Sequence, residues 1–350
     1  MKNILIFSAG VVDNRFSVVY NLLIMENAKK YFICESRSVS PYRNLAAEEY
    51  LMRTLPAGAS LLFLWQNDDT IVIGKNQNCY AECRVAELTA DGGHLARRMS
   101  GGGAVRHDMG NLCFSFIARG ADYDVPRQLS IIAAACREFG IDAEPTGRND
   151  ITAAGAKFSG NAFFSVGDVH CHHGTVLIDC DFDAMARYLT VKKSKLQAKG
   201  IESVRSRVVN LSSLAPGLTV PAFSEALRRA YARAAGTEPL EAAFPDPALY
   251  AETEKRLSSP EWLYGNDPPM SDELSGRFPW GGITLRFSAA GGVITDCIAD
   301  SDSLDPEMPA LAARALIGVP LRLADITAAL ADIPCGADIA TVFADLPHNT

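Results

Sequence analysis

The chain has 350 residues, 48% of them hydrophobic and 21% charged, with a net charge of −8 and nine cysteines. That length can bury a large core and points to two domains. No apolar run approaches the 18 residues of a membrane-spanning helix, and no basic stripe with interleaved aromatics suggests nucleic acid as a partner.

In chain order, Met1–Phe7 has four consecutive apolar residues, and Asp13, Asn14 and Arg15 follow soon after, which reads against a secretory leader. Residues 45–55 read as a helix, and 60–65 and 70–74 as strands. Residues 112–118 (Leu-Cys-Phe-Ser-Phe-Ile-Ala) look like a largely buried strand. Pro126 opens a helix through Phe139, with Gly140 as its stop. Thr175–Asp179 is a strand. Val220–Ala235 is a helix with Pro221 in its first turn and Gly236 past its end. Pro239 to Pro269 holds six of the eighteen prolines and reads as a connector with a short helix near 247–257. Beyond it, Gly282–Ala289 and Gly292–Ala299 form a hairpin turning at Ala290-Gly291, followed by helices at about 306–317 and 322–331. Strands and helices mix without strict alternation, so the fold class is α+β: a large mixed-sheet domain, then a small α+β domain. From residue 264 onward twelve acidic residues face four basic ones, so the excess negative charge lies in the C-terminal part. The remainder is neutral and can receive an anionic ligand and an acidic partner surface.

Three blocks carry chemistry. Ala96-Arg97-Arg98-Met99-Ser100-Gly101-Gly102-Gly103-Ala104-Val105-Arg106-His107-Asp108 sets two guanidinium groups beside three glycines. Such a run lets main-chain N–H groups close on a phosphate or carboxylate, with arginine forks added; a surface turn is the plainer reading of the run alone. The second block is Gly147-Arg148-Asn149-Asp150, then Gly155-Ala156-Lys157-Phe158-Ser159-Gly160-Asn161. Here Lys157 reads as a compact cation among turn-forming neighbours, suited to bridging two anions, although a lone lysine is more often simply exposed. The third is His172-His173-Gly174-Thr175, followed by a run at 192–207 with four lysines and two arginines against one glutamate. A solvated face is the usual meaning of such a run; interleaved Gly and Ser suggest a loop over a phosphate-bearing ligand.

These blocks, in this order, resemble lipoate–protein ligase A, of the biotin/lipoate ligase and octanoyltransferase superfamily. Arg43-Asn44-Leu45-Ala46-Ala47-Glu48-Glu49, Leu62-Phe63-Leu64-Trp65-Gln66-Asn67, Thr70–Asn78, Lys199-Gly200-Ile201-Glu202-Ser203-Val204-Arg205 and Trp280-Gly281-Gly282-Ile283 match as well. The likeness runs from about residue 40 to about 330. It implies a catalytic domain at 33–263 and an accessory domain at 264–350, with residues 1–32 an N-terminal extension that has no counterpart.

The resemblance implies that ATP, with Mg²⁺, adenylates lipoate and that a lysine of a lipoyl-acceptor domain then attacks the lipoyl-AMP. Acceptors of this kind are 2-oxoacid dehydrogenase E2 subunits and the glycine-cleavage H protein. Lys157 is the implied catalytic residue. Arg98, Gly103, Ala104, Val105, Arg106, Asn149, Asp150 and Lys157 are the implied ATP contacts. Ser100, Gly101, Gly102, His107, Lys157 and His173 are implied for lipoate, and Lys199, Gly200, Ser203 and Arg205 for a loop on the adenylate. Arg106 stands where the family pattern has an aromatic residue, and an added cation there is expected to alter nucleotide affinity. Recognition of an apolar tail discriminates by only ~1–3 kcal/mol per methylene, so octanoate should also be adenylated.

The cysteines are odd in number and lack zinc-site spacing, which suggests reduced thiols in a cytoplasmic protein with no functional metal at His170-Cys171-His172-His173. The nearest rival is a transferase of the same fold that forms a cysteine acyl-enzyme. No cysteine lies at 199–211, while Cys171 and Cys180 keep that reading open. A non-catalytic lipoate-binding protein is the third reading, and the retained Lys157 and triple glycine weigh against it.

Overall fold

The structure is a computed structural model and describes residues 30–146, 149–190, 208–264, 272–290 and 292–344. The 192–207 run, with Lys199, Gly200, Ser203 and Arg205, lies outside the described residues, as does Arg148.

Among the described residues, eleven strands build the larger part: β1 (Lys30–Glu35), β2 (Ala59–Trp65), β3 (Thr70–Ile73), β4 (His94–Arg97), β5 (Val105–His107), β6 (Asn111–Arg119), β7 (Ala143–Thr146), β8 (Asp150–Ala153), β9 (Ala156–Val166), β10 (Val169–Leu177) and β11 (Leu240–Ala242). Eight form one mixed sheet in the order β11-β1-β2-β6-β10-β9-β8-β7, and three form a small one, β4-β3-β5. β1 runs parallel to β2 and β11, and β3 parallel to β4; the other pairs are antiparallel.

Both faces of the main sheet are covered, so its central strands read as apolar runs rather than as alternation. Along β2, Leu62 and Leu64 pack with α2 (Val125–Arg137) and α3 (Val220–Ala235), through Ile132, Cys136, Phe223 and Leu227. Leu61, Phe63 and Trp65 point the other way, towards α1 (Pro41–Thr54) and α4 (Ala251–Leu257), through Leu51, Met52 and Leu257.

The C-terminal part is a meander, β12 (Asp272–Phe278), β13 (Gly281–Ala290) and β14 (Val293–Ser301), with helices Met308–Leu316, Leu323–Ala329 and Gly336–Thr341. Leu285, Phe287, Leu316, Ile326 and Phe343 form its own core. It meets the larger part along a main-chain seam. Gly102 N–H donates to Ser303 O at 2.7 Å, Ser301 N–H to Asn76 O at 2.7 Å, and Lys75 pairs with Glu307.

Several expectations shift. Residues 30–32, assigned to an N-terminal extension, form part of β1 and of the main sheet. The first helix begins at Pro41, because Ser40 accepts the Arg43 N–H and Pro41 suits a first turn that needs no donor. Part of the proline-rich connector is β11, an edge strand beside β1. The strand expected at 175–179 is the end of β10, whose polar His-Cys-His-His stretch conceals its start.

Candidate active site

One cross-strand row defines the site. Trp65 stands opposite Cys113, Cys113 opposite Thr175, Thr175 opposite Gly160, and Gly160 opposite Asp150. Directly opposed residues share a face of the sheet. All five line a single cavity of about 270 Å³. Neighbouring strands lie about 4.8 Å apart, so the row spans about 19 Å. Leu45, Trp65, Val72, Val105, His107 and Cys113 make one end apolar, while Lys157, Asp150 and Asn149 make the other ionic and polar.

Lys157 reaches the cavity because β9 is irregular. Ala154 and Gly155, with φ of 51° and 78°, turn the chain between β8 and β9. The register then slips: Ser159 pairs with Ile151 but Lys157 with Thr152, leaving Phe158 as an extra residue. A bulge of this kind reverses which face the following side chains take. Phe158 enters the core on the far face and Lys157 turns to the cavity side. Gly160 gives it room, since a Cβ there would lie 3.0 Å from Lys157 Nζ. The ammonium pairs with Asp150 Oδ1 at 2.6 Å, both side chains about one-third exposed. Asn149 and Asn161 clamp this end. Asn149 Nδ2 donates to Asn161 O at 2.8 Å, and Asn161 N and Nδ2 donate back to Asn149 O at 2.9 and 3.1 Å.

The glycine run departs from the anion cradle expected of it. Gly101 and Gly102 belong to the seam with the C-terminal part, and a Cβ at Gly101 would meet Ser303 O at 2.0 Å. The arginine forks are spent on main-chain carbonyls. Arg97 donates to Gly74, Lys75, Gln77, Trp262 and Leu263. Arg98 donates to Val72, Gly101 and Gly103, and also to Ser100 Oγ. Burial lowers the Arg98 pKa to about 10, which leaves it a cation at neutral pH behind the loop. Only Gly103, Ala104 and Val105 of the loop face the cavity. Arg106 does not: its guanidinium pairs with Asp69 at 2.8 Å and Asp108 at 2.5 Å. Arg106, expected to add charge beside a nucleotide, is thus held outside the cavity by these two carboxylates.

Ser100, also expected at the ligand, is fully buried and lies outside the cavity wall. Its Oγ is 2.7 Å from His173 Nε2, and His173 Nδ1 is 2.9 Å from Glu48 Oε1. The line has the order of a serine nucleophile's relay, but the serine points into protein and accepts the Arg98 Nε–H. It therefore anchors the loop to β10 and α1. His173 itself lines the cavity. His172, one residue earlier, faces the opposite side of the sheet among Phe114, Phe116 and Phe163. Strand alternation thus splits the His-Cys-His-His run between two faces.

Burial pushes His172 and His107 down to about 3, so both are neutral. Asn161 Nδ2 is committed to Asn149, so its Oδ1 faces His172 Nε2 at 2.8 Å and that nitrogen carries the proton. Asn67 Nδ2 donates to His107 Nδ1 at 3.1 Å. Burial also pushes the thiols of Cys113, Cys171 and Cys180 up, so none is a ready thiolate, and of the three only Cys113 lines the cavity.

Of the expected site residues, the fold brings together Arg98, Gly103, Ala104, Val105, His107, Asn149, Asp150, Lys157 and His173. Sequence reasoning missed Trp65, Cys113, Thr175, Arg277 and Asp302, which line the same cavity. Trp65 and Thr175 stand in segments that carry the resemblance, whereas Cys113, Arg277 and Asp302 reach the cavity through register or domain docking, neither visible in a linear string.

The model of the lipoyl protein ligase A/B catalytic domain matches residues 40–232, and that of the bacterial lipoate protein ligase C-terminus matches residues 267–345. The chain belongs to this family. LipL1 of P. falciparum, solved in complex with lipoate, is 27% identical with a TM-score of 0.80, covering 89% of this chain and 98% of that one. A lipoate-protein ligase A bound with ATP is 25% identical with a TM-score of 0.60, covering 67% and 98%. A bi-partite lipoate protein ligase of Thermoplasma acidophilum, reported with its E2 lipoyl domain, shares the fold at 24% identity, with a TM-score of 0.61 and coverage of 69% and 98%.

Proposed function

We propose that the chain is an ATP-dependent lipoate–protein ligase. Lipoate and ATP give lipoyl-AMP and pyrophosphate, and a lysine of a lipoyl-acceptor domain then displaces AMP. The observation that carries this reading is the cross-strand row, apolar at Trp65 and ionic at Lys157 and Asp150, in a chain of this family. An acid with an apolar tail fits it with its carboxylate at Lys157 and its tail over Thr175 and Cys113. The ATP-bound relative supports ATP as the second substrate, and the ionic end of the cavity is the part whose chemistry suits a nucleotide.

The first step brings a carboxylate against the α-phosphate. Both are anionic, so positioning and charge neutralisation dominate. Lys157 Nζ stands between them, with Asp150 holding the ammonium in place beforehand. Gly103 and Ala104 present main chain to the nucleotide, and Arg98 supplies positive potential through the carbonyls it orders. Mg²⁺ would come with the triphosphate and neutralise part of its charge, without a dedicated protein cage; Asp150 is the carboxylate at that end of the cavity. His107 and His173 wall the acyl end.

The acceptors are E2 lipoyl domains and the H protein. The proposed compartment is the cytoplasm; among the described residues no helix is long and apolar enough to cross a membrane. The test is lipoate-dependent ATP–pyrophosphate exchange with wild type and Lys157→Ala. Exchange that falls by about a thousandfold in the variant supports the reading. Absence of exchange in wild type, with acyl transfer from an acyl-carrier protein instead, would replace it with the cysteine transferase.

A further inference from the structure

Two side chains at the cavity come from the C-terminal sheet. Arg277 of β12 and Asp302, just beyond β14, line the same space as Lys157, Asn149 and Asp150. Arg277 Nη1 donates to Asp302 Oδ2 at 3.0 Å, and the arginine side chain is 49% exposed. Asp302 is itself fixed, because its Oδ1 accepts the Gly282 N–H at 2.6 Å. The next residue, Ser303, accepts the Gly102 N–H at 2.7 Å. Residues 302 and 303 therefore hold a guanidinium with one hand and the glycine run with the other. Gly282 opens the path for that guanidinium, as a Cβ there would come within 3.1 Å of Arg277 Nη1.

We propose that Arg277 is a nucleotide-binding residue that takes the outer phosphates of ATP, with Asp302 as its positioning residue. The proposal deepens the ligase reading and rests on it for the identity of the nucleotide. Among the described residues, the other candidate forks near the cavity are committed: Arg98 to main-chain carbonyls, and Arg106 to Asp69 and Asp108. Arg277 is held by one carboxylate and open to water, so its remaining N–H edge can meet a phosphate as a bidentate fork. Lys157 is engaged at the carboxylate and α-phosphate, and a triphosphate extends further charge beyond it. AMP lacks those outer phosphates, so the contact distinguishes ATP from AMP.

The test is calorimetric titration of the full-length protein with ATP and, separately, with AMP, in the absence of lipoate. Arg277→Ala is expected to weaken ATP about tenfold and to leave AMP unchanged, while Arg277→Lys recovers part of the loss. Asp302→Asn keeps an acceptor for Gly282 but removes the charge that holds the fork; it weakens ATP by a smaller factor and adds nothing to Arg277→Ala. An unchanged ATP affinity in a folded Arg277→Ala overturns the proposal, as does an equal loss for ATP and AMP, which reports a damaged seam. Wild type that binds ATP yet exchanges no pyrophosphate defeats the ligase reading alone, and the ATP–AMP difference still decides Arg277. Wild type that binds no ATP defeats both.

Discussion

Gly101 and Gly102 sit where two parts of the chain press main chain against main chain, whereas Gly160 sits beside the ammonium it makes room for. Both stretches look like ligand loops in the sequence. In the first, glycine allows a carbonyl of the C-terminal part to come close; in the second, it allows a side chain of the same strand to lie across the sheet. A missing Cβ marks close approach, and the approaching group has to be found in three dimensions.

Substitution at each place sharpens the contrast. Gly160→Ala puts a methyl against Lys157 and is expected to lower kcat for pyrophosphate exchange about a hundredfold, with little change in Tm. Unchanged exchange would show that Lys157 does not need that space. Gly101→Ala forces the seam apart at Ser303 and is expected to raise the KM for ATP about tenfold, with a small fall in kcat. A normal KM would separate the seam from nucleotide binding. Gly103→Ala, where a Cβ meets nothing within 4 Å, is its stability control and leaves Tm unchanged.

Arg106→Phe tests the neighbouring position. It takes the cation away from Asp69 and Asp108, leaving Asp108 with the Gly110 and Asp181 N–H donors, and is expected to cost about 2 kcal/mol in urea unfolding while the KM for ATP stays put. The smallest effect is on pH. His107 and His172 stay neutral in the folded chain down to about 3, but protonate near ~6.5 once unfolded. The unfolded state binds more protons in that window, so stability falls as pH drops from about 6.5 towards 3 and is flat above it. His172→Gln should remove one proton from that slope, read from urea midpoints at about pH 5 and about pH 7.5. An unchanged slope would place the proton elsewhere.

Much of this was legible in the string and some was not. The helix Val220–Ala235 shows both ends in sequence, with Pro221 at its start and left-handed Gly236 beyond. Lys157 stood out because its block carries ordered chemistry, yet nothing local shows that Phe158 is a bulge residue that turns it inward. β4, β5, β7 and β8 are three or four residues long, too short for periodicity to mark. Glu48 looks like an ordinary helix carboxylate until the fold buries it against His173, and Arg277 joins the cavity only through docking of a separate sheet.

The floor of the cavity is a hydrogen-bonded ladder, and that makes it a measuring stick graduated in strand spacings. Two spacings, about 10 Å, separate Cys113 from Gly160, on the order of an extended eight-carbon acid. The graduations cannot drift by loop mutation, because a one-residue slip in any of these strands would turn its floor residue to the far side and bury its opposite number. In the proposed ligase, acyl length would therefore be tied to the same register that holds the core together. Variation in substrate length would then come from what stands at the ends of the stick, and Trp65 is the residue at the apolar one.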